Sequence, residues 1–237
     1  MMDRTTYELI ENYMLSWMKD SAHDKDHIYR VLYNALDIAS GEEKVDYDVL
    51  ICACLLHDIG RQEQFEDPGL CHAEAGAKKA FNFLAANGFS EEFARKVSSC
   101  IRAHRYRSDS RPESIEAKIL YDADKIDVTG AVGIARTIFY GGQLSEPLYT
   151  VSPDGVVSDG SEDKEPSFFQ EYKYKLEGLY TKFYTARGTQ IASERRDAAV
   201  SFYESMLKEV RDSYSTGSKI FKELIDGQGE GQRKIEQ

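Results

Sequence analysis

Residues 55–60 read "LLHDIG", a histidine and an aspartate side by side at the end of an apolar run. Ionisable side chains rarely go fully inside unless they are paired or bound to something. Imidazole and carboxylate are the usual ligands of zinc, iron, manganese and other divalent ions. Neighbours on a helix differ by about 100° in direction, so His57 and Asp58 can both reach an ion lying over one edge of their helix. Other helices must complete the shell, and His27 and Asp124 are the natural candidates. The chain has five histidines, His23, His27, His57, His72 and His104, all in its first half and on or beside predicted helices around the apolar run.

A divalent ion held this way suits phosphate-ester or anhydride cleavage, because it lowers the pKa of a water and neutralises phosphoryl charge. Basic side chains then stabilise the developing charge. Arg30 lies one helical turn after His27 on the same face, and Arg61 follows the His-Asp pair. Both are candidate phosphate contacts. Glu74 is a candidate base. His23 has the i, i+4 spacing to His27 that can make a metal pair, but Asp24 as a helix cap draws it off the helix and outside the shell.

These residues need a helical frame, and most of the chain supplies one. Residues 5–19 carry Tyr7, Ile10, Tyr13, Met14 and Trp17 at helical spacing. Asp24 caps a second helix that runs to about Ser40 and closes at Gly41. A third runs from Asp46 to Gly60, apolar nearly all round, which makes it the central buried helix. "CHAEAGAKKAFNFLAANG" forms a fourth, Ser90 opens a fifth reaching His104, and Pro112 begins a sixth through "DADKID". "GAVGIARTIFYGG" is a seventh. Strand-like alternation is scarce, so the fold class is all-α.

The organisation follows from composition. Residues 1–140 form a helical core with the metal site. Residues 141–166, rich in Pro, Gly, Ser and acids, form an irregular loop or small hairpin in the position of a lid. Residues 167–216 form C-terminal helices, predicted over 167–187 and 189–213, whose aromatic stripe packs them onto the core. Residues 217–237 form a short helix and a frayed tail.

Three phrases in order, "HDKDHIYRV", "HD" and "DADKIDVTGAVGIAR", resemble the HD-domain superfamily of metal-dependent phosphohydrolases, in particular the small stand-alone bacterial members that act on nucleotides. The resemblance covers roughly residues 20–140. It implies an HD-domain helical bundle, here with an added C-terminal helical hairpin. It implies His27, His57, Asp58 and Asp124 as metal ligands, with Asp124 preferred over Asp122 because the family's aspartate directly precedes a basic residue. By the same analogy Lys125 is a phosphate contact. His72 and His104 are implied either as ligands of a second ion, with Asp58 as the bridge, or as groups that contact phosphate or move a proton. One or two ions are implied, with manganese, magnesium, cobalt, nickel, iron and zinc all open.

The implied reaction is hydrolysis of a phosphoester or pyrophosphate bond in a nucleotide or related phosphometabolite. Two alternatives use the same residues: an HD-type di-iron oxygenase, for which all six ligand types are present in order, and a metal- and nucleotide-binding module without turnover. The formal net charge of −11, with no long Lys/Arg cluster, argues against double-stranded nucleic acid as a partner. No apolar run approaches a membrane span, and the polar N-terminus is unlike a secretory signal. The four cysteines, Cys52, Cys54, Cys71 and Cys100, form no CxxC pair and read as free thiols in a reducing cytoplasm. A homodimer is compatible with these features.

Overall fold

The computed structural model describes residues 2–18, 25–105 and 110–232, with side chains to residue 225. His23 and Asp24, and with them the predicted cap of the second helix, lie outside the described residues. Within them the fold is all-α, with a single isolated β-bridge between Val151 and Val157. Among the described residues no helix is long and apolar enough to cross a membrane, and all four cysteines are free thiols.

The core is built around α3 (Tyr47–Leu56), which follows α1 (Arg4–Trp17) and α2 (Lys25–Ala39). Asp46 caps α3 by accepting the Val49 N–H at 3.2 Å. Its apolar side chains, from Val49 through Leu56, are buried on nearly every side. The neighbours that bury them are α1, α2, α6 (Glu91–Ala103) and α7 (Ile115–Ile126). Ser90 and Ser114 cap α6 and α7 through Phe93 N–H and Ala117 N–H.

The central helix is shorter than its sequence suggests. It stops at Leu56, the chain turns over residues 57–60, and a short helix, α4 (Arg61–Glu66), follows. The turn rests directly on the start of α5 (His72–Ala86). A Cβ at Gly60 would lie 2.2 Å from the His72 carbonyl and 2.4 Å from the Gly76 nitrogen. Glycine at 60 therefore sets how closely the His-Asp turn approaches the helix that carries His72.

After α8 (Gly130–Gln143) the chain makes a turn-rich excursion, locked rather than loose. Phe168 N–H donates to the Pro147 carbonyl and Phe169 N–H to the Leu148 carbonyl, both at 3.1 Å. The predicted 167–187 helix is broken into α9 (Phe168–Glu171), a π-turn over Tyr172–Leu176 and a 3-10 turn over Leu179–Thr181. The aromatics cause the break, because they turn inward to form their own cluster. Phe168, Phe169, Tyr172 and Leu176 pack with Val157, with Ile134 of α8 and with Tyr203. Tyr203 stacks on Tyr172 with ring centroids 4.0 Å apart. It belongs to α10 (Ala186–Gln232), one continuous helix where a helix ending at 213 and a separate short one were expected.

Candidate metal centre

The four described histidines converge from four helices, and each is oriented the same way. His57 ends α3, and its Nδ1–H donates to the Cys54 carbonyl at 2.7 Å. His104 ends α6, and its Nδ1–H donates to the Ile101 carbonyl at 2.5 Å. Carbonyl oxygens can only accept, so Nδ1 carries the proton in both rings. His27 on α2 donates from Nδ1 to Asp127 Oδ2 at 2.8 Å. His72 at the start of α5 donates from Nδ1 to Gln64 Oε1 at 2.7 Å. Every Nε2 is left aimed into one buried space. This is the outer hydrogen bonding that orients imidazole ligands at metal sites.

Two groups of donors result. His27, His57 and Asp124 form one, and Asp58, His72 and His104 the other, with the ligand atoms of each within 4.8 Å of one another. The Nε2 atoms of His27 and His57 face each other at 3.3 Å, as do those of His72 and His104. Two unprotonated nitrogens at that distance repel, so each pair needs a proton or a metal cation between its members. An ion with ligands at about 2.0–2.2 Å holds neighbouring donors about 3 Å apart.

Asp58 stands between the two groups. Its Oδ2 is 3.6 Å from His27 Nε2 and 3.7 Å from His57 Nε2. Its Oδ1 is 3.6 Å from His104 Nε2 and 3.7 Å from His72 Nε2. Oδ2 is buried and accepts no hydrogen bond. A buried carboxylate oxygen without a donor is costly, and a cation is what it lacks. The donor set therefore fits divalent ions.

The electrostatics agree. Burial alone would lower the His27 pKa, but Asp124, Asp127 and Asp58 around it raise it to about 10. The pocket is thus short of positive charge. His57 is pushed down by burial to about 4, and His72, by burial and by Arg61, to about 2, so both stay neutral as ligands must. Burial works to raise Asp58, yet Arg61 and His57 hold it well below the ordinary carboxylate range. Arg61 Nε donates to Asp58 Oδ1 at 2.9 Å.

The remaining predicted residues divide. Asp124 is a quarter exposed and looks into an open cleft of about 670 Å³, whose wall also includes His27, His72, His104, Arg61 and Lys125. Asp122, the alternative to Asp124, is fully buried on the other side of α7. It accepts from Tyr184 N–H and Thr185 N–H and from the Thr185 hydroxyl, tying down the start of α10. Lys125 is buried, and its ammonium donates to Tyr121 Oη at 2.7 Å and to the Lys182 carbonyl at 2.5 Å. Burial lowers its pKa to about 8. Arg30 is not in the cleft wall. It grips Asp127 instead, Nε to Oδ1 at 2.7 Å and Nη2 to Oδ2 at 3.1 Å. Glu74 lies away from the centre, paired with Arg102 at 2.9 Å.

Sequence reasoning missed Asp127, Gln64, Arg105 and Arg136. Asp127 is buried and gathers His27, Arg30 and Arg136, the last through Nη1 at 2.7 Å. Its signal was present in "DADKID", where it stands three residues after Asp124. Gln64 belongs to α4, a helix the sequence reading did not contain. Arg105 and Arg136 both line the cleft.

Comparison with known proteins bears on this centre. The HD domain family matches residues 25–129, the stretch that carries every candidate ligand described above. A predicted HD superfamily hydrolase from an uncultured Thermotogales bacterium is 32% identical, with a TM-score of 0.56 over 87% of this chain and 92% of that one. YpgQ of Bacillus subtilis is 28% identical over 209 residues, 86% of this chain and 93% of its own. Its crystal structure in complex with ADP aligns with a TM-score of 0.66 at 26% identity, over 86% of this chain and 97% of that one.

Proposed function

The chain belongs to the HD-domain superfamily, which includes hydrolases among its relatives, and from that membership we propose that it is a metal-dependent phosphohydrolase acting on a nucleotide or related phosphometabolite. The observation that carries this reading is Asp58, whose two carboxylate oxygens each face a pair of imidazoles. His27, His57, Asp124 and Asp58 would hold one divalent ion, and Asp58, His72 and His104 would hold a second. Ions held there supply Lewis acidity and a water of lowered pKa.

The chain's own residues do the rest. Asp58 fixes the spacing of the two ligand groups and is kept ionised by Arg61. His72 and His104 commit Nε2 to the centre and Nδ1–H to Gln64 and Ile101, which leaves neither ring free to move a proton. Ligation, rather than general acid chemistry, is the role that geometry favours for them. Arg61, Lys125, Arg105 and Arg136 line the cleft beside the centre and give its wall the positive charge that a phosphoryl group needs. Arg30 acts one step back, through Asp127, in orienting His27. The ADP bound to YpgQ supports a nucleotide as the substrate class.

The test is turnover by metal-stripped protein on a panel of nucleotides and simple phosphoesters, with manganese, magnesium, cobalt, nickel, zinc or iron(II) added back singly. Phosphate and pyrophosphate are resolved as products. Release of either with one or more ions is the expected result, and the product identifies the bond cut. No release, with iron retained and a spectrum that changes in air, would move the assignment to di-iron oxygenation. Tight nucleotide binding without product would make it a binding module.

A further inference from the structure

The cleft wall is mixed in chemistry. Arg61, Arg105, Lys125 and Arg136 make part of it cationic, and the end of α8 with the 144–171 excursion adds Leu148, Pro166 and Phe168 as apolar surface. The charged side chains of this wall are nearly all spoken for. Arg61 is on Asp58, Arg136 on Asp127, Arg105 on the Cys71 sulfur, and Glu171 on Lys175 at 2.7 Å. Glu146 is different. Among the described residues its carboxylate has no hydrogen-bond or ion-pair partner, although it lines a cleft suited to anions.

The backbone aims it there. Ser145, directly before it, sits at φ +59°, a left-handed conformation that non-glycine residues rarely adopt. The turn is closed by Glu146 N–H donating to the Gly141 carbonyl at 2.9 Å. A Cβ at Gly141 would come within 3.2 Å of Glu146 Oε2, so the carboxylate lies over a position kept bare. A strained turn that presents an unpartnered carboxylate would oppose a polyanionic ligand, unless the part of the ligand reaching it donates hydrogen bonds.

We propose that Glu146 is the specificity-determining residue of a base subsite and accepts N–H donors from the edge of a nucleobase. This rests on the nucleotide reading above. Guanine fits best, because its ring N–H and exocyclic amino group are adjacent donors that a carboxylate can accept together. Adenine and cytosine offer a single amino group. Uracil places its ring N–H between two carbonyls that repel the carboxylate. The apolar residues of the excursion supply the face against which a flat base packs.

The test compares kcat/KM for GTP, ATP, CTP and UTP with that for tripolyphosphate, which has no base, in the wild type and in Glu146→Gln. Wild type should favour GTP over UTP by about tenfold or more. The substitution should collapse that ratio toward one and lower the GTP-to-tripolyphosphate ratio. Equilibrium binding of GMP and UMP, which needs no turnover, should show the same discrimination and its loss in Glu146→Gln and in Glu146→Ala. Unchanged ratios in the variants, or a preference for UTP, would overturn the subsite while leaving hydrolysis standing. Absence of turnover on all five compounds, with no discrimination between the monophosphates, would overturn both readings together.

Discussion

Asp58 has no hydrogen-bond donor for one of its oxygens and an arginine on the other, in a site where four imidazole Nε2 atoms converge. Replacing it with alanine removes the shared ligand of both donor groups. Asp58→Ala should lose tight metal binding and turnover together while far-UV circular dichroism stays that of the wild type. Asp127 acts at one remove. Asn at this position keeps the shape but loses the charge that His27, Arg30 and Arg136 share. Asp127→Asn should weaken binding of the catalytically competent ion by about 10–100-fold, read by competition with a chromogenic chelator. Legibility in the sequence followed the same division. His27, His57, Asp58 and Asp124 were candidates by residue type and order, His72 and His104 and the preference for Asp124 over Asp122 came from the family resemblance, and the fold brings all six into two adjoining groups. Arg30 was misjudged because helical spacing tells which face a side chain occupies, not which partner wins it. Asp127 faces away from the ion and carries no ligand spacing of its own.

Element boundaries were harder to read than element existence, and the reasons are local. The apolar run of α3 reaches Leu56, and beyond the His-Asp pair Ile59 is again apolar and buried, so nothing in its pattern short of Gly60 marks the stop at Leu56. The stop comes from tertiary approach, since residues 57–60 must turn to rest on α5. At the other end of the chain, Gly217 inside α10 costs about 1 kcal/mol relative to alanine, too little to end a helix whose preceding turns are anchored by Tyr203, Leu207, Val210 and Tyr214. The Gly60 contact gives the sharper prediction. Its missing Cβ is filled by the His72 carbonyl and the Gly76 backbone, neither of which can rotate away. Gly60→Ala should therefore destabilise by about 1–3 kcal/mol. The turn that carries Asp58 and the helix that carries His72 would be forced apart, so metal affinity should fall as well. A variant destabilised by the same amount at a site remote from the centre should keep its affinity, and measuring both by thermal melting and metal titration separates the two effects.

At the scale of the molecule, a metal held at this centre would act as a fastening. Its ligands come from α2, the turn after α3, the start of α5, the end of α6 and α7, so ions held there tie five parts of the main core to one another. The second apolar cluster, with the aromatics of 168–203 and the middle of α10, contributes none of them. Because a cation would draw Asp58, Asp124 and the facing imidazoles together, folding and ion binding should be linked. An ion present at about one hundred times its Kd adds about 2.7 kcal/mol to stability. For a chain of this size each kcal/mol moves Tm by about 2–4 °C, so saturation should raise Tm by roughly 5–10 °C over chelator-treated protein. Hydrogen exchange should locate the gain. Amides of residues 57–60, 72–76 and 101–104 should slow on adding manganese or zinc, while those of residues 199–214, packed in the second apolar cluster, should exchange at the same rate with and without the ion. Slowing spread evenly over both regions would mean that the two clusters unfold as one unit, and equal rates everywhere would mean that the centre binds no ion tightly enough to fasten the core.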